Sequence, residues 1–142
     1  AGGSGLSSPQ SMVLDLLEQG DSRQITLFQG ARNLAELYNR DLFEKLAAEH
    51  DNFTYVPALD APEDPDSWEG FTGYVHEAAI DHFEGQFGGH KAYLCGPPPM
   101  IDAAITALMR GRLFERDIYM ERFLTAADGA EGGTRSALFK RI

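Results

Sequence analysis

At 142 residues with a formal charge of −10, the chain has room for one domain and an acidic surface. Hydrophobic residues make up 43% and aromatics 11%, a globular rather than a disordered composition. The acidity argues against nucleic acid as a partner, because phosphate neutralisation needs clustered Lys and Arg; no apolar stretch approaches the roughly 18 residues of a membrane span, so the expectation is a cytoplasmic protein.

In chain order, AGGSGLSSP reads as a glycine-rich turn entering a helix. Pro9 suits the first helical position, and Met12, Val13, Leu16 and Leu17 fall on one face before Gly20 ends the helix. RQITLFQG is a nearly continuous apolar run, which predicts a strand covered on both faces. Leu34, Tyr38, Leu42 and Leu46 recur every four residues through LAELYNRDLFEKLAAEH and predict one amphipathic helix. FTYVPAL predicts a strand, and Pro57, which cannot donate to a central ladder, places it at a sheet edge. LDAPEDPDSWEG concentrates the acid in a solvated loop, with docking of a basic partner as the sharper reading. YVHEAAIDHF predicts a short helix, and KAYLC a strand running straight into GPPPM. Pro99 suits the first turn of a helix whose inner face is Met100, Ile101, Ala104, Ile105 and Leu108. DIYMERF alternates as a last strand, and the tail from Thr125 is expected to be poorly ordered or to pack as an appendage.

Alternating helices and strands predict a parallel α/β sheet with crossover helices, which binds ligands beyond the carboxyl ends of its strands. Three loops lie there. In the first, Gly2, Gly3 and Gly5 let backbone N–H groups approach an anion, and the following helix start favours a diphosphate. Ser8 stands where a G-x-G-x-x-G pattern has its third glycine, and the lack of a following Gly-Lys-Ser/Thr excludes a P-loop. A flexible Gly/Ser linker is the alternative reading of this stretch. In the second loop, FQGAR, Gly30 permits a tight exit, and Arg32 is either a ribose or phosphate contact or an exposed arginine at a helix start. In the third, LCGPPPM, the Gly-Pro turn is a rigid platform suited to a flat ring. Cys95 itself reads as a small buried hydrophobe more than as a thiol nucleophile, since no His neighbours it in sequence. As the one cysteine, it excludes an internal disulfide and a thiolate-held iron–sulfur cluster within the chain. His50, His76, His82 and His90 lack metal-ligand spacing and read as surface or packing residues.

GGSGLSSP, FQGAR and YLCGPPPMIDAA, in this order and followed by IYMERF, resemble the NAD(P)H-binding domain of the ferredoxin–NADP reductase superfamily. Within it, CGPPPMIDAA and YMERF are similar to the reductases of bacterial multicomponent monooxygenases. SPQSMVLDLLE and FLTAADGA look most like the reductases of soluble methane monooxygenases, with phenol- or toluene-type reductases as the alternative.

The resemblance implies a Rossmann-like, three-layer parallel sheet of order 3-2-1-4-5, over residues 1–124, with 125–142 as a tail. It also implies that the first, central strand precedes the opening loop, so that the chain begins just after it with two inner edges unpaired. Gly2, Gly3, Ser4 and Gly5 would cradle the diphosphate and nicotinamide ribose, and Gln29, Gly30 and Arg32 would line the adenosine side. Cys95, Gly96, Pro97 and Met100 would flank the nicotinamide, while Glu121 and Phe123 join Cys95 nearest the reacting rings. NADH would bind here, whereas FAD and a [2Fe–2S] cluster would sit mainly on domains absent from this chain. Those domains and a monooxygenase hydroxylase would be the partners. Arg32, Glu36 and Arg40 do not form the basic cluster that a 2′-phosphate calls for, which favours NADH over NADPH. A non-catalytic α/β interaction module is the alternative from a different class.

Overall fold

The computed structural model describes residues 1–123 and the backbone of residues 140–141. Six strands, β1 (Ile25–Ala31), β2 (Phe53–Leu59), β3 (Phe71–Thr72), β4 (Ala92–Gly96), β5 (Ile118–Arg122) and β6 (Lys140–Arg141), form two three-stranded parallel sheets. Their orders are β1-β2-β3 and β4-β5-β6.

Ala1 and Gly2 lie between the two sheets, in the position where the resemblance puts a central strand. Gly2 bridges Gly30 in parallel, the Gly30 N–H donates to the Ala1 carbonyl at 2.8 Å, and the Gly2 N–H donates to the Cys95 carbonyl at 3.0 Å. Across both sheets the order is therefore β3-β2-β1, Ala1–Gly2, β4-β5-β6, which agrees with the expected parallel topology and adds a two-residue strand at each edge.

Four helices, α1 (Ser7–Glu18), α2 (Arg40–Glu49), α3 (Val75–Phe83) and α4 (Pro98–Arg110), cover the two faces. The period of two along β1 sorts them. Leu27 is buried with Leu6, Val13 and Leu17 of the α1 region and with Phe43 of α2. Phe28, the next residue, meets His82 and Phe83 of α3 edge-on or tilted. On that second face Leu108 of α4 and Ile118 of β5 close a cluster with Phe87 and Leu113. Helix, sheet and helix thus make the three layers, and Phe43, Ile101 and Ile118 at their centres are fully buried.

Four expectations change. First, α1 begins at Ser7, after a 3₁₀ turn over Gly3–Leu6. Pro9 is the third helical residue, still within the first turn, where a missing N–H forfeits no helical bond. Second, the stretch predicted as one helix from Leu34 is a 3₁₀ turn (Leu34–Glu36) followed by α2. Asn39, in the left-handed region at φ 57° and ψ 27°, separates them. That break rotates the buried stripe onto Leu37 and Phe43, and leaves Leu34 and Tyr38 exposed at 53% and 57%. Third, β2 lies between β1 and β3, not at an edge. Pro57 is accommodated because β3 pairs only with Ala58 and Leu59, beyond it. Fourth, β5 is not last, since Lys140–Arg141 pair with Tyr119 and Met120. The rest of the tail from Thr125 lies outside the described residues.

Candidate functional site

Because every strand pair is parallel, the ends of β1, β2, β4 and β5 share one edge of the molecule. The three loops singled out from the sequence all emerge there, and the opening turn meets the third. The Gly5 N–H donates to the Gly2 carbonyl at 3.0 Å, folding Gly2–Gly5 back above the Cys95–Gly96 peptide. A Cβ on Gly5 would lie 2.5 Å from the Cys95 carbonyl oxygen and 2.6 Å from the Gly96 nitrogen, so only glycine allows this approach. Gly3 has φ +54°, is exposed with Ser4, and has nothing within 4 Å of where its Cβ would point. Here the chain presents bare backbone to open space at the start of a helix. Neither the 3₁₀ turn nor α1 has a side-chain N-cap or an acidic residue in its first turn. Backbone donors and the α1 dipole are thus left for an external anion, and the cradle fits a dinucleotide diphosphate.

On the other side of this turn stand Cys95, Gly96 and Pro97. The Met100 side chain reaches back from α4 to lie against Gly2 and Gly96, so the residues expected around the nicotinamide do come together. Cys95 is fully buried, and burial pushes its thiol pKa upward. A neutral, enclosed thiol is a packing surface and not a nucleophile. Glu121 is the register partner of Cys95 on β5, and the Phe123 N–H donates to the Gly96 carbonyl at 3.0 Å. Arg122 is held to Asp102 of α4 by an ion pair, which anchors the end of β5.

The adenosine-side residues divide. Gln29 is 3% exposed, and both ends of its amide are bonded: Nε2 donates to the Tyr38 carbonyl at 2.9 Å and Oε1 accepts from the Tyr55 hydroxyl at 2.6 Å. Its side chain braces β1 against β2 and the chain before α2, and faces the interior. Gly30 lies against Val75, the first residue of α3. Arg32 is exposed, with the Glu36 carboxylate accepting from its backbone N–H at 3.4 Å. The acidic loop begins directly beside it, Asp60 and Ala61 donating their N–H groups to the Ala31 and Arg32 carbonyls.

Sequence reasoning overlooked one residue. The Ser8 hydroxyl donates to Glu121 Oε2 at 2.9 Å, across 113 positions of chain. The departure from glycine at the third place of the pattern was its only signal. Among the described residues no group of three or more His, Cys, Asp or Glu is placed to hold a metal ion, and no helix is long and apolar enough to cross a membrane.

A parallel α/β sheet whose carboxyl edge carries a glycine turn at a helix start, folded against a Cys-Gly-Pro turn, defines a dinucleotide-binding domain. Residues 1–106 match the family described as the oxidoreductase NAD-binding domain, and the chain belongs to it. It is 75% identical over all 142 residues to the phenol 2-monooxygenase reductase component DmpP of Pseudomonas sp. (strain CF600), of which it spans 40%. It is 72% identical, with the same coverage, to the phenol hydroxylase P5 protein of Acinetobacter pittii (strain PHEA-2). Among solved structures, the Amycolatopsis cytochrome P450 reductase GcoB superposes with a TM-score of 0.78 at 32% identity, over 87% of this chain and 36% of that one. The ferredoxin reductase of carbazole 1,9a-dioxygenase, at 23% identity and a TM-score of 0.71 over 87% of this chain and 36% of that one, shares the fold. The strongest of these similarities run to phenol-type proteins, and the reading moves from the methane-type reductases to that alternative.

Proposed function

We propose that this chain is the NADH-binding domain of a phenol-type monooxygenase reductase, in which electrons pass from NADH through FAD and a [2Fe–2S] cluster to a hydroxylase. The observation that carries the reading is the seating of Gly2–Gly5 on Cys95–Gly96, which aligns a diphosphate cradle with a flat-ring platform. The chain spans about 40% of the length of its phenol-type relatives, which leaves room for flavin and cluster domains. A single cysteine does not supply the four thiolates of a cluster, so that group belongs to residues outside this chain.

Bound at this edge, NADH would supply a hydride to a flavin held elsewhere. The work of the chain itself is positional. Backbone N–H groups of Gly3–Gly5 and the start of α1 hold the diphosphate, and Arg32 reaches the adenosine half. Cys95, Gly96, Pro97 and Met100 set the plane of the nicotinamide, with Glu121 and Phe123 at its flank. No side chain acts as acid or base.

Titration of isotope-labelled chain with NADH tests the binding. Chemical shifts at Gly3, Arg32 and Cys95 are expected to move together, and unmoved shifts would favour a non-catalytic interaction module. Electron delivery by the intact reductase to phenol- and methane-type hydroxylases tests the finer assignment, with the phenol-type enzyme expected to turn over faster.

A further inference from the structure

We propose that the turn from Met109 to Arg116, at the edge opposite the nucleotide site, is a docking surface for an acidic protein face, which under the proposed function belongs to the hydroxylase component. The inference goes beyond NADH binding and rests on that reading only for the identity of the partner.

The cations of the chain are unevenly placed. Eight of the 12 Lys and Arg follow residue 90, against six of the 22 Asp and Glu, so the acidity belongs to the first 90 residues. The turn joins α4 to β5 and therefore lies at the amino ends of the strands, away from Gly2–Gly5 and Cys95–Pro97. On it Arg110, Arg112 and Arg116 are exposed, and with them Met109 at 38% and Phe114 at 49%. Buried Leu113 anchors the turn in the core with Leu108 and Ile118. Large apolar side chains among arginines are the composition of an interface and not of a solvated loop.

The backbone supplies an independent observation. The Arg112 N–H donates to the Met109 carbonyl at 3.1 Å and the Leu113 N–H to the Leu108 carbonyl at 3.0 Å, the pair of bonds that closes a helix on a left-handed residue. That residue is Arg112, at φ 68°, where glycine is the ordinary occupant. The neighbouring glycine sits one place earlier and is committed there: a Cβ on Gly111 would lie 2.6 Å from the Gly85 carbonyl oxygen. The helix dipole does not call for a cation at position 112, because Arg110 already stands in the last turn of α4. Arg112 thus bears backbone strain for a charge the helix end already has, and strain of this kind collects at functional positions.

A lipid-binding stretch carries about four to eight cations with little acid among them. Here Glu115 and Asp117 interleave, and Asp117 pairs with Arg116 and Lys91. Mixed charge around apolar anchors suits instead a protein face that is acidic and has a pocket for Phe114. The acidic part of the chain repels such a face, so its approach is steered to the arginine edge, which leaves the nucleotide edge free for a flavin.

The test uses the intact reductase and the phenol-type hydroxylase. Surface plasmon resonance at two ionic strengths reads binding, NADH reduction of an artificial acceptor reads basal activity, and thermal unfolding reads stability. Arg112→Gly is expected to weaken hydroxylase binding about threefold, through slower association, and to flatten its salt dependence. The same variant is expected to melt at or above the parent temperature, since glycine is at ease in the left-handed region. Phe114→Ala is expected to weaken binding about tenfold, through faster dissociation. Acceptor reduction is expected to stay at the parent rate in both. A purely structural Arg112 would leave binding unmoved. Unchanged hydroxylase affinity in both variants would overturn the inference, and unchanged acceptor reduction would leave the NADH-binding reading standing. Parent reductase that binds phosphatidylserine vesicles but not the hydroxylase would overturn it in favour of a membrane surface, and self-association abolished by Arg112→Gly in favour of a second copy. Loss of hydroxylase binding in Arg112→Gly, in a reductase whose parent reduces no acceptor with NADH, would uphold the docking surface and overturn the NADH-binding reading.

Discussion

Gly5 and the Cys95 carbonyl pack so closely that a methyl group on Gly5 would sit 2.5 Å from the carbonyl oxygen. The obstacle is backbone of a buried strand, which gives less readily than the end of a flexible side chain. Gly5→Ala is therefore expected to cost about 3 kcal/mol, the upper part of the overpacking range. Gly3→Ala meets no atoms and bears only the strain of φ +54°, about 1 kcal/mol. Thermal unfolding of the two variants checks the order, and a Gly3→Ala as damaging as Gly5→Ala would contradict it. NADH affinity is expected to fall in both.

The Gln29 amide serves Tyr38 and Tyr55, which leaves only the backbone of this residue for the proposed adenosine half. Tyr55→Phe leaves Gln29 Oε1 buried without its donor, at an expected cost of about 1–3 kcal/mol, with NADH affinity little changed. Urea unfolding and NADH titration of the same variant separate the two effects. Burial also pushes the Tyr55 phenol pKa upward, so in alkaline absorbance titration Tyr55 is expected to stay protonated beyond the usual phenol range.

Arg32 is exposed beside Glu36 and the start of the acidic loop, a setting that offers a 2′-phosphate more repulsion than attraction. NADH is expected to bind more tightly than NADPH, by about tenfold. Arg32→Ala is expected to weaken NADH about threefold to tenfold without altering thermal stability. Fluorescence titration with both nucleotides measures this, and tighter NADPH binding would overturn it.

The chain holds the dinucleotide side of the proposed reaction alone, so added NADH is expected to give no reduction of an artificial acceptor unless flavin is supplied. A spectrophotometric assay on the purified chain detects turnover, and flavin-independent activity would overturn the assignment of roles.

The alternation of apolar runs and amphipathic stretches determined the layers and the parallel sheet, because period and burial are properties of contiguous residues. Glycines at Gly2, Gly3 and Gly5, Gly30 near the end of β1 and the Cys95–Pro97 turn marked the candidate binding edge, because close backbone approach and rigid turns demand those residue types locally. Three matters needed the tertiary structure. One left-handed residue, Asn39, turned a regular four-residue spacing into two elements and reassigned its buried face to Leu37 and Phe43. Which way Gln29 points depended on Tyr55 and Tyr38, 26 and 9 positions away, rather than on its place at a strand end. The bond between Ser8 and Glu121 joins residues 113 positions apart, and only the packing of α1 over β4 and β5 brings them within hydrogen-bonding distance. Local pattern carries the free energy of forming each element, while the pairing of side chains across elements follows from how those elements stack.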